Sequence, residues 1–130
     1  MKIVKSIELK GKVHETLLLD ELYKYGINHD PSMSMGLNVK MKRREIDAVW
    51  KTGDFTYIIE AKPELNFEAI GQVLVYEYLY KKRHPEEKTK KGIICKEAIE
   101  QEFLSFCLEK DITVFALTEN GIYEHKPNAV

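Results

Sequence analysis

The stretch Glu45-Ile46-Asp47-Ala48-Val49-Trp50-Lys51-Thr52-Gly53-Asp54-Phe55-Thr56-Tyr57-Ile58-Ile59-Glu60-Ala61-Lys62 decides how this chain folds. Residues 45–50 and 55–61 are rich in β-branched and aromatic side chains and read as strands. Between them Lys51-Thr52-Gly53-Asp54 is a hairpin signal, and Gly first in a two-residue loop suits a type II′ turn. With Gly53 and Asp54 as the loop, Asp47 falls directly opposite Glu60. Side chains directly opposite share one face of the sheet, about 5 Å apart at Cβ. Lys62 lies two residues beyond Glu60 and shares that face. Two carboxylates and an amine thus converge from spacing alone. The opposite face takes Ile46, Ala48, Trp50, Phe55, Tyr57, Ile59 and Ala61, all apolar or aromatic, and reads as core. Val49 and Ile58 make the charged face partly apolar as well.

Two acids at this range repel unless a cation lies between them or one takes a proton. A divalent metal resolves the conflict, and Mg²⁺ commonly takes one or two carboxylates together with waters and phosphate oxygens. Upstream, Glu15 precedes Leu18, Leu19 and Leu22 by three, four and seven residues, on their side of a helix over 12–25. An acid there either approaches the Asp47/Glu60 pair as a further ligand or snorkels to solvent at the edge of the stripe.

Outward from this centre, Gly26 is the expected stop of the first helix, and residues 28–36, with Pro31, two serines and Gly36, read as a loop that is a candidate for disorder. A strand is expected at 37–42. Pro63 ends the third strand, and a helix over 66–83 follows, with Asn66 as N-cap. Then come a short strand at 92–95, an amphipathic helix at 97–109, a strand at 111–117 and a final short strand at 121–125. The tail after His125 is the other candidate for disorder. The order is that of one mixed α/β domain, spanning 1–130, around a central sheet.

The 130 residues are 44% hydrophobic and 32% charged, an ordinary globular balance. No stretch approaches a membrane span. Met1 to Lys5 has no long apolar run behind it, so no signal peptide is read, and a cytoplasmic location without a membrane partner is expected. Cys95 and Cys107 lack the four-ligand pattern of a zinc or iron–sulfur site and read as free core thiols. The net charge of −1 argues against a global positive field, though Lys42-Arg43-Arg44 and Lys82-Arg83 offer local basic faces.

Ile46-Asp47, followed on the next strand by Ile59-Glu60-Ala61-Lys62, resembles the bipartite D…ExK motif of the PD-(D/E)xK nucleases, with Ile46 in place of the proline. Glu15 on the preceding helix matches the family's upstream acidic position. Gln72-Val73-Leu74-Val75-Tyr76 resembles the QxxxY pattern of RecB-like members. The Asp-to-Glu spacing and Glu15 also resemble archaeal Holliday-junction resolvases. The resemblance covers roughly residues 12–95 and implies a restriction-endonuclease-like αβββαβ core, with a central mixed sheet flanked by helices. Two departures bear on subfamily. CRISPR-associated RecB-like exonucleases carry four cluster-binding cysteines, and junction resolvases are usually clearly basic.

The resemblance implies a Mg²⁺-dependent deoxyribonuclease, with Mn²⁺ as a substitute, acting on DNA of unspecified strandedness, with a homodimer as one arrangement. It implies Asp47 and Glu60 as metal ligands, with the Ala61 backbone carbonyl and Glu15 completing the set. Lys62 would orient the attacking water or steady the phosphate, and Gln72 would bond near the metal, Lys62 or DNA. Lys42, Arg43, Arg44, Tyr76, Lys82 and Arg83 would contact nucleic acid, although Tyr76 also reads as simple packing. His14 sits beside Glu15, and a structural or surface role is expected of it. Three competing readings stand: an inactive nuclease-fold module for DNA binding or assembly, an unrelated α/β interaction protein in which Asp47, Glu60 and Lys62 form a surface ion cluster, and an enzyme acting on another phosphoester.

Overall fold

The computed structural model describes residues 12–127, with Lys12–His14 contributing backbone only. The central hairpin pairs as expected, Ala48 with Ile59, Val49 with Ile58, Trp50 with Tyr57 and Lys51 with Thr56. Its turn is not type II′. Gly53 lacks the positive φ which that turn demands of its first loop residue. Instead the Thr52 N–H donates to the Phe55 carbonyl at 2.9 Å, and the Phe55 N–H donates to the Thr52 hydroxyl at 3.1 Å. A threonine side chain closes the loop where a backbone carbonyl was expected, and the register survives.

In chain order the elements are α1 (Lys12–His29), β1 (Ser34–Met41), β2 (Arg44–Lys51), β3 (Thr56–Ala61), α2 (Phe67–Arg83), β4 (Thr89–Lys96), α3 (Gln101–Glu109), β5 (Ile112–Thr118) and β6 (Gly121–His125). The strands form one sheet in the order β1-β2-β3-β4-β5-β6. β1, β2 and β3 are antiparallel, β3, β4 and β5 are parallel, and β6 returns antiparallel. Parallel neighbours need crossovers, which α2 and α3 supply. The fold is therefore the expected α/β class, an αβββαβ core whose central mixed sheet has helices on both faces. No helix among the described residues is long and apolar enough to cross a membrane.

The two faces bury separate cores. Leu18, Leu19 and Leu22 of α1 pack on Ala48, Trp50, Ile59, Ala61 and Phe115. On the other face Ile70 and Val73 of α2, with Leu104 and Cys107 of α3, cover Ile93, Cys95 and Val114. α2 starts where expected, because the Asn66 side chain accepts from the Ala69 N–H at 2.9 Å.

Four expected boundaries move, one of them that of β4, which starts at Thr89 rather than at 92. α1 runs through Gly26 to His29. Gly26 is buried, and a Cβ there would stand 2.9 Å from the Met33 Cε and 3.1 Å from the Trp50 ring. The glycine lets the helix lie close on the sheet rather than ending it. Residues 28–36 are not a long loop: Asp30 Oδ1 accepts from the Ser32 N–H and hydroxyl, a compact Asx turn, and β1 begins at Ser34. Residues 97–100 precede α3, which begins at Gln101. The tail residues 128–130 lie outside the described residues.

Gly92 sits between Ile59 and Phe115, at 2.7 Å and 3.0 Å from where its Cβ would be. Gly92→Ala forces both side chains to shift in a packed interior and is expected to cost about 1–3 kcal/mol. Denaturant titration measures it, and a neutral result would show slack in this core.

Candidate active site

The regular alternation of β2 breaks at Asp47. The β1–β2 pairing runs through Leu37 and Ala48 and resumes at Val39 and Ile46. Asn38, which would face Asp47, takes a φ of 50°, a conformation that asparagine tolerates better than most residues. On the other side the β2–β3 ladder ends at Ala48 and Ile59. Beyond it the Ala61 N–H donates to Asp47 Oδ2 at 2.9 Å. Ile46 then packs with Met41, Val49, Ile58 and Tyr80 under α2, not with Ala48 and Trp50. The expectation that Ile46 shares their face is corrected: strict alternation is interrupted at Asp47, next to it.

Where the strands part, the charged groups gather. Glu60 is 4% exposed, and its Oε1 has no hydrogen-bond partner. Burial pushes its carboxyl up to about 9, with the Asp47 charge, a hydrogen bond to Asp47 and the Glu15 charge adding to the effect and Lys62 opposing it. Burial and the Asp47 charge beside it both favour the neutral form of this carboxyl. The N–H and C=O of one residue in an extended strand point the same way. The Ala61 carbonyl therefore opens on the Asp47 side, where its N–H is anchored.

Lys62 follows directly. Its Nζ lies 3.2 Å from Glu68 and 3.8 Å from Glu15. Burial works against its charge, but Glu68, Glu15 and Glu60 outweigh it, and its pKa stands above the usual lysine value. Lys62 is thus an ammonium with three donors and no acceptor. Glu15 is half-buried, and burial first, then the Asp47 charge, raises its pKa. Its contact is with Lys62, at the edge of the cluster, with the side chain 27% exposed. The His14 side chain is outside the described residues.

Glu68 was not foreseen. It occupies the first turn of α2, where an acid complements the helix N-terminus. Its sequence signal is only that position; the turn Pro63-Glu64-Leu65 that swings it back to Lys62 has no such signature. Gln72 is half-buried and one helical turn from Tyr76. Tyr76 packs beside Leu79 on the Met41, Ile46 and Ile58 cluster, so its ring serves the core.

The two basic runs meet. Lys42, Arg43 and Arg44, at the β1–β2 turn, and Lys82 and Arg83, at the end of α2, line one groove of about 440 Å³ over Met41 and Leu79. Arg44 is three strand residues from Asp47, about 10 Å. Elsewhere, His84, Glu86 and Glu87 lie within metal-binding distance of one another. Glu87 is already engaged, accepting from the Thr56 hydroxyl at 2.7 Å and the Tyr80 hydroxyl at 2.9 Å. Cys95 and Cys107 are buried free thiols, pushed by burial to about 12 and about 11.

This geometry can be set beside known proteins. No family model matches the sequence, and no curated protein matches it. Among solved structures, one of EndoMS in complex with double-stranded DNA superposes with a TM-score of 0.58 at 8% identity. The likeness shows the fold. It covers 85% of this chain and 45% of the EndoMS chain, so this chain spans less than half the length of the protein it resembles. At that identity the similarity rests on the arrangement of the sheet and helices, not on shared side chains.

Proposed function

We propose that this chain is a metal-dependent DNA nuclease of the PD-(D/E)xK class. One observation carries the reading: a buried carboxyl, Glu60, stands against Asp47 with an unpartnered oxygen and an ammonium beside it. That arrangement costs folding energy and is relieved by a cation at the same place. The donors are all oxygens, which suits Mg²⁺, with Mn²⁺ as a substitute. Asp47, Glu60 and the Ala61 carbonyl would hold the ion, with Glu15 at the outer edge. Bound there, the ion would supply charge neutralisation at the scissile phosphate and a lowered pKa for water.

The chain's own residues do the rest. Lys62, fixed between Glu15 and Glu68, presents a permanent positive charge to the phosphate as negative charge builds on it. It cannot act as a base at neutral pH, because its proton is held. The Ala61 N–H holds Asp47 in one orientation. Gln72, on α2, would bond near the metal, Lys62 or the DNA. The groove of Lys42, Arg43, Arg44, Lys82 and Arg83 tracks the phosphates away from the cut; its distance from Asp47 corresponds to about three base steps of 3.4 Å. That the EndoMS fold was solved with DNA supports a DNA substrate.

The test is cleavage of labelled single-stranded, duplex and four-way-junction DNA with Mg²⁺, Mn²⁺ or EDTA. Cleavage that requires the metal supports the proposal. DNA binding without cleavage of any substrate would leave an inactive nuclease-fold module instead. In the groove, Arg44→Ala combined with Arg83→Ala is expected to weaken DNA binding similarly for every sequence. The slope of log K against log salt should fall by about 0.9 for each lost phosphate contact on duplex DNA. An unchanged slope would remove the groove from the DNA path.

A further inference from the structure

We propose that the cleft between the N-terminal ends of α2 and α3 takes an unpaired base of the DNA beside the cut, so that the substrate is single-stranded there; this rests on the nuclease reading and names its substrate. The cleft holds about 760 Å³, which suits a small planar group. Phe67, Phe103 and Phe106 line it, and the rings of Phe67 and Phe103 meet edge-on with centroids 4.9 Å apart. That contact steadies the Phe67 ring without covering it: Phe67 is 81% exposed and Phe106 41%. Clustered aromatic surface of this kind marks a contact with another molecule. Gly71 lines the same cleft, and a Cβ there would meet no atom within 4 Å. Its missing side chain leaves the α2 backbone open to a flat ring.

Position identifies the occupant. Phe67 and Glu68 are consecutive in the first turn of α2, with Cα atoms about 3.8 Å apart. Consecutive side chains on a helix diverge by about 100°. Glu68 accordingly turns to Lys62, at 3.2 Å, while Phe67 turns to Phe103 of α3. The cleft therefore opens beside the ammonium proposed to face the scissile phosphate, within reach of a nucleotide next to that phosphate. Aromatic side chains take bases by stacking, whatever the sequence. A paired base is already stacked on its neighbours in the duplex, so an unpaired base enters at far lower cost.

Charge decides which part of the nucleotide enters. Glu100 and Glu102 line the cleft and are exposed. They repel phosphate, so the backbone stays with Lys62 and the basic groove, and the neutral base turns inward. Ionised carboxylates only accept hydrogen bonds. They therefore favour bases that carry an amino group, adenine, cytosine and guanine, over thymine, whose pairing edge offers one N–H between two carbonyls.

Fluorescence anisotropy in EDTA at neutral pH reads binding without cleavage and tests this. The probes are labelled oligo-dC and oligo-dT of about a dozen nucleotides, within the reach of a single-strand site, and a duplex of the same length. The full chain is expected to bind both single strands more tightly than the duplex, and oligo-dC about threefold more tightly than oligo-dT. Phe67→Ala should weaken single-strand binding about tenfold and leave duplex binding unchanged, while Phe67→Trp should retain it. Phe67 is exposed, so circular dichroism should show the fold intact. Glu100→Ala combined with Glu102→Ala separates the effects by sign: oligo-dT binding should rise as repulsion is removed, while the advantage of oligo-dC disappears. A duplex bound as tightly as the single strands overturns the proposal, as does oligo-dT bound as well as oligo-dC, or single-strand binding untouched by Phe67→Ala. A chain that fails here yet cleaves DNA with Mg²⁺ loses the cleft and keeps the nuclease reading. A chain that passes here and cleaves nothing keeps the base site and loses the nuclease reading.

Discussion

Lys62→Ala should slow metal-dependent DNA cleavage by about 10²–10³-fold while leaving metal binding largely intact. The reason lies in what surrounds the ammonium. Glu15 and Glu68 hold it at 3.8 Å and 3.2 Å, so it is positioned before substrate arrives and needs no reorganisation when charge develops. Removing it should lower the rate of the chemical step more than the affinity for DNA, which the proposed DNA path over the basic groove would supply independently. Asp47→Asn should act differently. An amide in place of the carboxylate removes the negative charge that the proposed ion would be held by, while its oxygen can still accept from the Ala61 N–H, so both cleavage and calorimetric Mg²⁺ binding should fall together. Single-turnover rates with saturating protein, read beside the metal titration, separate the two variants. If both leave cleavage unchanged, the catalytic centre lies elsewhere in the molecule.

The second large effect is on stability without metal. In the unfolded chain Glu60 titrates near its ordinary value of 4.5, and in the folded protein at about 9. Below 4.5 both states hold the proton and the site exacts no penalty. Above it the unfolded chain releases the proton and the folded protein keeps it, so stability falls as pH rises, by about 1.4 kcal/mol per pH unit. The loss is complete above about 9. Between about pH 5 and pH 8 it amounts to something on the order of 4 kcal/mol, and Glu15, also raised, acts in the same direction. Denaturant titrations in EDTA across that window measure the slope. Glu60→Gln, which has no proton to lose, should flatten it. Mg²⁺ should stabilise most at the alkaline end, where it has less proton to displace. A metal-free stability that does not change across the window would mean that Glu60 is not held against Asp47.

Much of this was legible in the sequence because the decisive signals are local. Gly53-Asp54 between two β-rich runs sets a register, and the register alone puts Asp47, Glu60 and Lys62 within reach of one another. Asn66 and Pro63 bracket the start of α2 with residues whose backbone chemistry leaves little choice. What was not legible depends on contacts between distant segments. Gly26 reads as a helix stop until Trp50 and Met33 are seen against it. Glu68 reads as an ordinary first-turn acid until the 63–65 turn brings it to Lys62. Lys42-Arg43-Arg44 and Lys82-Arg83 are two solvated runs in sequence, and only the crossing of α2 over the β1–β2 turn makes them one groove. The slip of Ile46 to the α2 face had no signal either, because it follows from the way Asp47 replaces a backbone partner.

That replacement has a consequence of its own. In an unbroken sheet the Ala61 amide would be tied to a neighbouring main-chain carbonyl, whose strength as an acceptor hardly varies. Here it is tied to a carboxylate whose charge depends on what else that carboxylate is holding. The Ala61 amide proton is thus a resident reporter. Its chemical shift and its exchange with solvent report on the Asp47 carboxylate from a single main-chain position, without any substrate.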